Sequence, residues 1–116
     1  MARQDLEMNP GKLAAQIGHA FHYAVRNKEL DPSILDAYEN PDIGGSKVCL
    51  WAKNEFNLHQ IRHKLTELGI PTSLVIDQNH VCPPHFDGNP IVTALGVGPC
   101  TKSQAKRALS KLKLIN

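Results

Sequence analysis

Lys12, Gln16, His19 and Tyr23 recur at helical spacing near the start of the chain. At about 3.6 residues per turn they fall within a sector of roughly 40° to 60°, so one helix face would carry an ammonium, an amide and an imidazole in a row. Leu13, Ile17, Ala20 and Ala24 gather on a second sector roughly 120° away, which must face a core. A polar stripe on the flank of a buried face is held rigidly and still meets solvent or a ligand, which suits chemistry. The same spacing also fits a solvated surface with a half-buried histidine, and periodicity alone does not separate the two.

The other chemistry-bearing patterns are weaker. His80-Val81-Cys82-Pro83-Pro84-His85 places three metal-capable side chains in six positions. It lacks the fourth ligand and the CxxC spacing of structural zinc. His59 and His63 stand one turn apart, opposite the stripe of Leu58, Ile61 and Leu65, where a solvated face explains them. Gly96-Val97-Gly98-Pro99 ends in a proline that removes an amide donor where a phosphate cradle would need one. There is no local signature of a Ser-His-Asp triad, and neither a metal nor a cofactor is expected.

Alternating patterns set out the elements that must position the stripe. Pro10 and Gly11 open a first helix running to about Lys28, and Asp31-Pro32 starts a short second one as N-cap and N1. The turn-rich stretch at 40–46 precedes a strand at 47–53, whose run Val48, Cys49, Leu50 and Trp51 suggests burial on both faces. A third helix at 55–68 stops at Gly69 and Pro71. Strands at 72–77 and 91–97, separated by a long loop, lead to a last helix after the capping box Thr101-Lys102-Ser103-Gln104. Strands alternating with helices predict a three-layer α/β/α sandwich around a small mixed sheet of about four strands.

With 116 residues, 41% of them hydrophobic, one domain over 1–116 is expected. No run approaches the roughly 20 apolar residues of a membrane span, and the N-terminus lacks the charged-then-apolar order of a signal peptide, so a cytoplasmic location is expected. Cys49, Cys82 and Cys100 are odd in number and unrelated in spacing, which favours reduced thiols. The net charge of +2 is polarised: residues 101–116 hold Lys102, Lys106, Arg107, Lys111 and Lys113 with no acid, leaving eight basic against eleven acidic residues before them. Such a run is either a solvated face or a surface for a phosphate backbone. On the first helix, Ala15, Gly18 and His22 form a third sector, able to pack on another helix of the chain or on a second subunit as a homodimer.

Several segments together are more specific than any of these patterns. Arg3-Gln4-Asp5-Leu6, Met8, Gly11-Lys12, Ala14-Ala15-Gln16 and His19-Ala20 resemble the opening motif of the type 2 peptidyl-tRNA hydrolases. Ser73-Leu74-Val75-Ile76-Asp77 resembles that family's strand ending in aspartate, and Thr93-Ala94-Leu95-Gly96-Val97-Gly98-Pro99 its T-x-L-G-x-G-P signature. The closing Leu112-Lys113-Leu114 fits as well. The resemblance implies that Lys12, Gln16, His19, Asp77 and Thr93 surround a site that hydrolyses the ester joining a peptide to tRNA, with Asp5 in support. Lys12 and Gln16 would then stabilise the oxyanion, and Asp77 would orient or deprotonate water. It also favours tRNA contact by Lys102, Lys106, Arg107 and Lys111. Peptidyl-tRNA is the implied partner, and the implied activity is metal-independent and part of translation.

The chain departs from the family's pattern in two places. After Asp77 the family continues with a G-R-T-Q type loop, whereas this chain runs through a longer loop, 78–90, with Val81 where a threonine is usual. His80 and His85 are the candidates to stand in for that hydroxyl. The altered loop also admits a member that binds RNA without hydrolysis, or a metal-dependent hydrolase using the His80–His85 cluster. At the start, only Met1 and Ala2 precede Arg3, so either residues precede Met1 in a longer protein or the first strand is clipped to a stub within 2–6.

Overall fold

Asn9 closes the first turn of the long helix that the sequence places after Met8. Its side chain accepts the Lys12 amide at 2.8 Å, and Pro10 occupies N1, where a missing N–H costs nothing. The computed structural model describes residues 1–78 and 80–116, and Asn79, in the loop after Asp77, lies outside them. In chain order the elements are β1 (Ala2–Arg3), α1 (Pro10–Arg26), α2 (Pro32–Glu39), β2 (Trp51–Ala52) and α3 (Glu55–Glu67). There follow β3 (Thr72–Asp77), β4 (Val81–Cys82), β5 (Phe86–Asp87), β6 (Ile91–Val97) and α4 (Lys102–Leu109).

Four strands form one mixed sheet in the order β2-β1-β6-β3. β1 and β2 are parallel, and β6 runs antiparallel to both β1 and β3. Alternation along the strands sends neighbours to opposite faces. Ala2, Val75 and Ala94 meet Ala20 of α1, with Leu13, Ile17 and Trp51 packed around them. Met1, Ala52 and Leu95 meet Leu58, Ile61 and Leu65 of α3 and Ala105 and Ala108 of α4. Helices on both faces make the expected three-layer α/β/α sandwich.

Gly96 sets how closely α1 approaches the sheet. A Cβ there would lie 2.2 Å from the Ala20 carbonyl oxygen, so only glycine lets the helix cross β6 at this height. Asn27, the C-cap of α1, fixes the other end by donating to the Thr72 carbonyl and the Ser73 hydroxyl, both at 3.0 Å.

Several boundaries differ from the sequence expectation. The first strand is a stub, as expected, but stops at Arg3, and the chain turns away through Glu7 at φ 50°. The strand expected at 47–53 pairs with β1 only at Trp51 and Ala52, because β1 is itself two residues long. Its outer edge is taken by the C-terminal tail instead: Trp51 N donates to Lys113 O and Ile115 N to Cys49 O, each at 2.9 Å. The expected burial of Val48, Cys49, Leu50 and Trp51 on both faces does not hold: Val48 is exposed and the other three are only half-buried, because the segment lies at the edge of the sheet, and Ala52 alone is fully buried. That edge pairing draws the tail out of α4, so Lys111 and Lys113 lie beyond the helix. The long loop contains a hairpin of β4 and β5, with Val81 opposite Asp87 and Cys82 opposite Phe86. Ala15, Gly18 and His22 are exposed, so no described element packs on that sector of α1. No helix among the described residues is long and apolar enough to cross a membrane.

Candidate active site

Lys12, in the first turn of α1, and Asp77, the last residue of β3, come together as an ion pair between Nζ and Oδ2. They are 65 positions apart in sequence. Both side chains are largely buried, at 15% and 18% exposure, so the pair is screened by water far less than a surface pair while one side stays open. Asp77 lies at the carboxyl end of a sheet strand, where ligands collect in open α/β folds.

One helical turn beyond Lys12, Gln16 meets Thr93 of β6. The Thr93 hydroxyl donates to Gln16 Oε1 at 2.6 Å, and both residues are buried. This bond occupies the amide oxygen and leaves the Gln16 nitrogen without an acceptor among the described residues. The site thus presents an ammonium, a carboxylate and an amide donor on rigid elements.

The remaining expected residues lie further out. His19 is exposed, and its ring stacks on Tyr23 with centroids 5.9 Å apart. Asp5 is held by Arg3 through two bonds, Nε to Oδ1 at 3.1 Å and Nη2 to Oδ2 at 2.8 Å. Arg3 Nη1 also donates to the Val92 carbonyl at 2.8 Å and pairs with Glu55 at 3.3 Å. The Arg3–Asp5 segment is therefore a clamp joining β1 to β6 and α3. Lys102, Lys106 and Arg107 are exposed on α4, across the sheet from α1, and Lys111 follows its end. Because β6 runs from beside Asp77 toward α4, this basic surface begins roughly 20 Å along the sheet from the ion pair.

The histidines of the altered loop point to separate partners: His80 packs edge-on against Phe86, and His85 Nε2 lies 3.8 Å from Glu7. His59 and His63 pair along α3 with Glu55 and Glu67, as a solvated face would. No group of three or more histidine, cysteine or acidic side chains able to hold a metal ion occurs among the described residues. Reading the sequence missed Phe86, whose ring centroid lies 4.9 Å from Lys12 Nζ. Its one signal was an aromatic residue standing alone in a polar, proline-rich loop. A separate, mainly apolar groove lies between α1, α2 and α4, with Ile17, Phe21, Ile34 and Leu109 among its walls, and includes neither Lys12 nor Asp77.

The family model described as Peptidyl-tRNA hydrolase PTH2 matches residues 1–115. A probable peptidyl-tRNA hydrolase 2 of Dictyostelium discoideum is 36% identical over 97% of this chain, which spans 51% of that protein's length. Peptidyl-tRNA hydrolases of Pyrobaculum aerophilum and Thermococcus onnurineus are 34% and 31% identical, each over 97% of this chain and 91% and 92% of their own lengths. The chain spans about half the length of the Dictyostelium relative and more than nine-tenths of the two archaeal ones. A match of this extent, with the motif residues Lys12, Gln16, Asp77 and Thr93 on facing elements of one sheet and helix, means that the chain belongs to the PTH2 family of peptidyl-tRNA hydrolases.

Proposed function

We propose that this protein hydrolyses the ester linking a peptide to the terminal ribose of tRNA. The observation that carries the reading is the Lys12–Asp77 ion pair at the carboxyl end of β3, one helical turn from the Gln16–Thr93 bond. Asp77 takes a proton from a water molecule, and the water oxygen adds to the ester carbonyl. The Lys12 ammonium and the Gln16 amide N–H stabilise the resulting oxyanion, and Thr93 keeps that amide in the donating orientation. Collapse breaks the bond to the ribose oxygen, which leaves with the proton held by Asp77, so free peptide and tRNA result and the carboxylate is restored.

His19, on the next turn of the same helix face, meets the substrate at the exposed rim. Lys102, Lys106, Arg107 and Lys111 attract the tRNA backbone by counterion release, without reading its sequence. The protein's own ammonium and carboxylate supply charge and base, so the reaction proceeds without a metal ion. Incubation of purified protein with peptidyl-tRNA and a chelator tests this: peptide is released, and Lys12→Ala or Asp77→Ala nearly abolishes release. Full turnover in both variants overturns the site, loss of activity on chelation overturns metal independence, and tRNA binding without turnover overturns the hydrolytic reading.

A further inference from the structure

We propose that Phe86 is a positioning residue for Lys12, holding its ammonium through the face of the aromatic ring. The inference rests on the hydrolytic reading and extends it to a residue outside the motif segments. Val81, at the start of the hairpin, is 68% exposed and has no polar group with which to bind the site. Phe86, five positions on, is 4% exposed, with Lys12 Nζ at 4.9 Å from its centroid.

The ring is packed against one aromatic neighbour and carried by a closed hairpin. His80 packs against it edge-on, with centroids 5.1 Å apart and planes at 77°. The hairpin that carries it closes through the Gly88 amide, which donates to the His80 carbonyl at 2.9 Å. Gly88 adopts φ 94°, a conformation that favours glycine. The Asp87 carboxylate then accepts the Asn89 amide at 3.0 Å and caps the return.

A hydroxyl beside Lys12 would accept one of the three ammonium N–H bonds. The face of an aromatic ring attracts the same charge without taking a directed hydrogen bond, and it excludes water from that side. With one N–H committed to Asp77 and the ring on another side, the remaining donors are free for the ester oxygen. Phe86 therefore acts on the transition state through Lys12, and its effect falls on kcat more than on KM.

Fluorinated phenylalanines at position 86 test this, because increasing fluorination weakens the negative face of the ring while nearly keeping its shape. In peptidyl-tRNA hydrolysis kcat is expected to fall stepwise along the series, to about one-tenth at full fluorination, with KM changed less than about twofold. Phe86→Leu, which keeps apolar cover without a ring, is expected to match the fully fluorinated protein. A flat kcat across the series overturns the proposal whatever Phe86→Leu does. The ε-methylene proton signals of Lys12 in lysine-labelled protein, assigned by their loss in Lys12→Arg, give a readout independent of turnover. They are expected upfield of the other lysines and to return among them in Phe86→Leu; absence of that displacement in the unaltered protein overturns the proposal. Failure of the unaltered protein to release peptide would instead overturn the hydrolytic reading, with the lysine spectrum still reporting on Phe86.

Discussion

The Thr93 hydroxyl donates to Gln16 Oε1 at 2.6 Å across 77 positions of sequence, joining an interior strand of the sheet to the helix that carries Lys12. Removing one partner strands the other in a buried site. Thr93→Val is therefore expected to lower stability by about 1–3 kcal/mol in urea denaturation. The double variant Thr93→Val/Gln16→Leu, apolar on both sides, is expected to recover most of that loss. Its turnover stays low, because the Gln16 donor to the oxyanion is gone.

Lys12 and Asp77 are expected to behave as one unit. Asp77→Asn and Lys12→Ala should each lower kcat by about 100-fold or more, while the double variant should be no worse than the poorer single one. Single-turnover assays at saturating peptidyl-tRNA measure this, and losses that multiply in the double variant would show that the two residues act separately.

Two glycines give opposite outcomes when changed to alanine. In Gly96→Ala the new Cβ would lie 2.2 Å from the Ala20 carbonyl oxygen, so α1 must lift. Stability should fall by about 1–3 kcal/mol, and turnover should fall with it as Gln16 leaves Thr93. The same change at Gly18, inside α1, meets nothing within 4 Å and should raise stability by about 0.5–1 kcal/mol. Thermal denaturation of both variants beside the unaltered protein checks the contrast.

Neutralising Lys102, Lys106, Arg107 and Lys111 with glutamine should raise KM and leave kcat nearly unchanged, since none of them reaches Lys12 or Asp77. The slope of log KM against log salt should flatten by about 0.7–0.9 for each phosphate contact removed. An unchanged salt slope would place the tRNA surface elsewhere.

Elements with strong local signals were legible in the sequence. β3 and β6 occupy the expected residues, and the Thr101–Gln104 capping box closes as written, with Gln104 Oε1 accepting the Thr101 amide at 2.8 Å. The strand expected at 47–53 is shorter in the structure because an apolar run says nothing about partner length, and β1 offers only two residues to pair with. The role of Arg3 was hidden for a similar reason. Its partners Glu55 and Val92 lie on other elements, and only their packing shows that a charged residue beside the site acts as a structural clamp.

By itself the sequence determined the helical stripe of Lys12 and Gln16, the strand that ends in Asp77 and the family to which they point, because each of these is written in residues a few positions apart. The tertiary structure decided which members of the stripe meet the strands. It joins Lys12 to Asp77 and Gln16 to Thr93 and leaves His19 at the surface. It also turned the least familiar stretch of the chain into a hairpin that delivers Phe86 to Lys12. Periodicity fixes which way a side chain points on its own element; the height at which α1 crosses the sheet, set by a missing Cβ at Gly96, fixes what that side chain reaches.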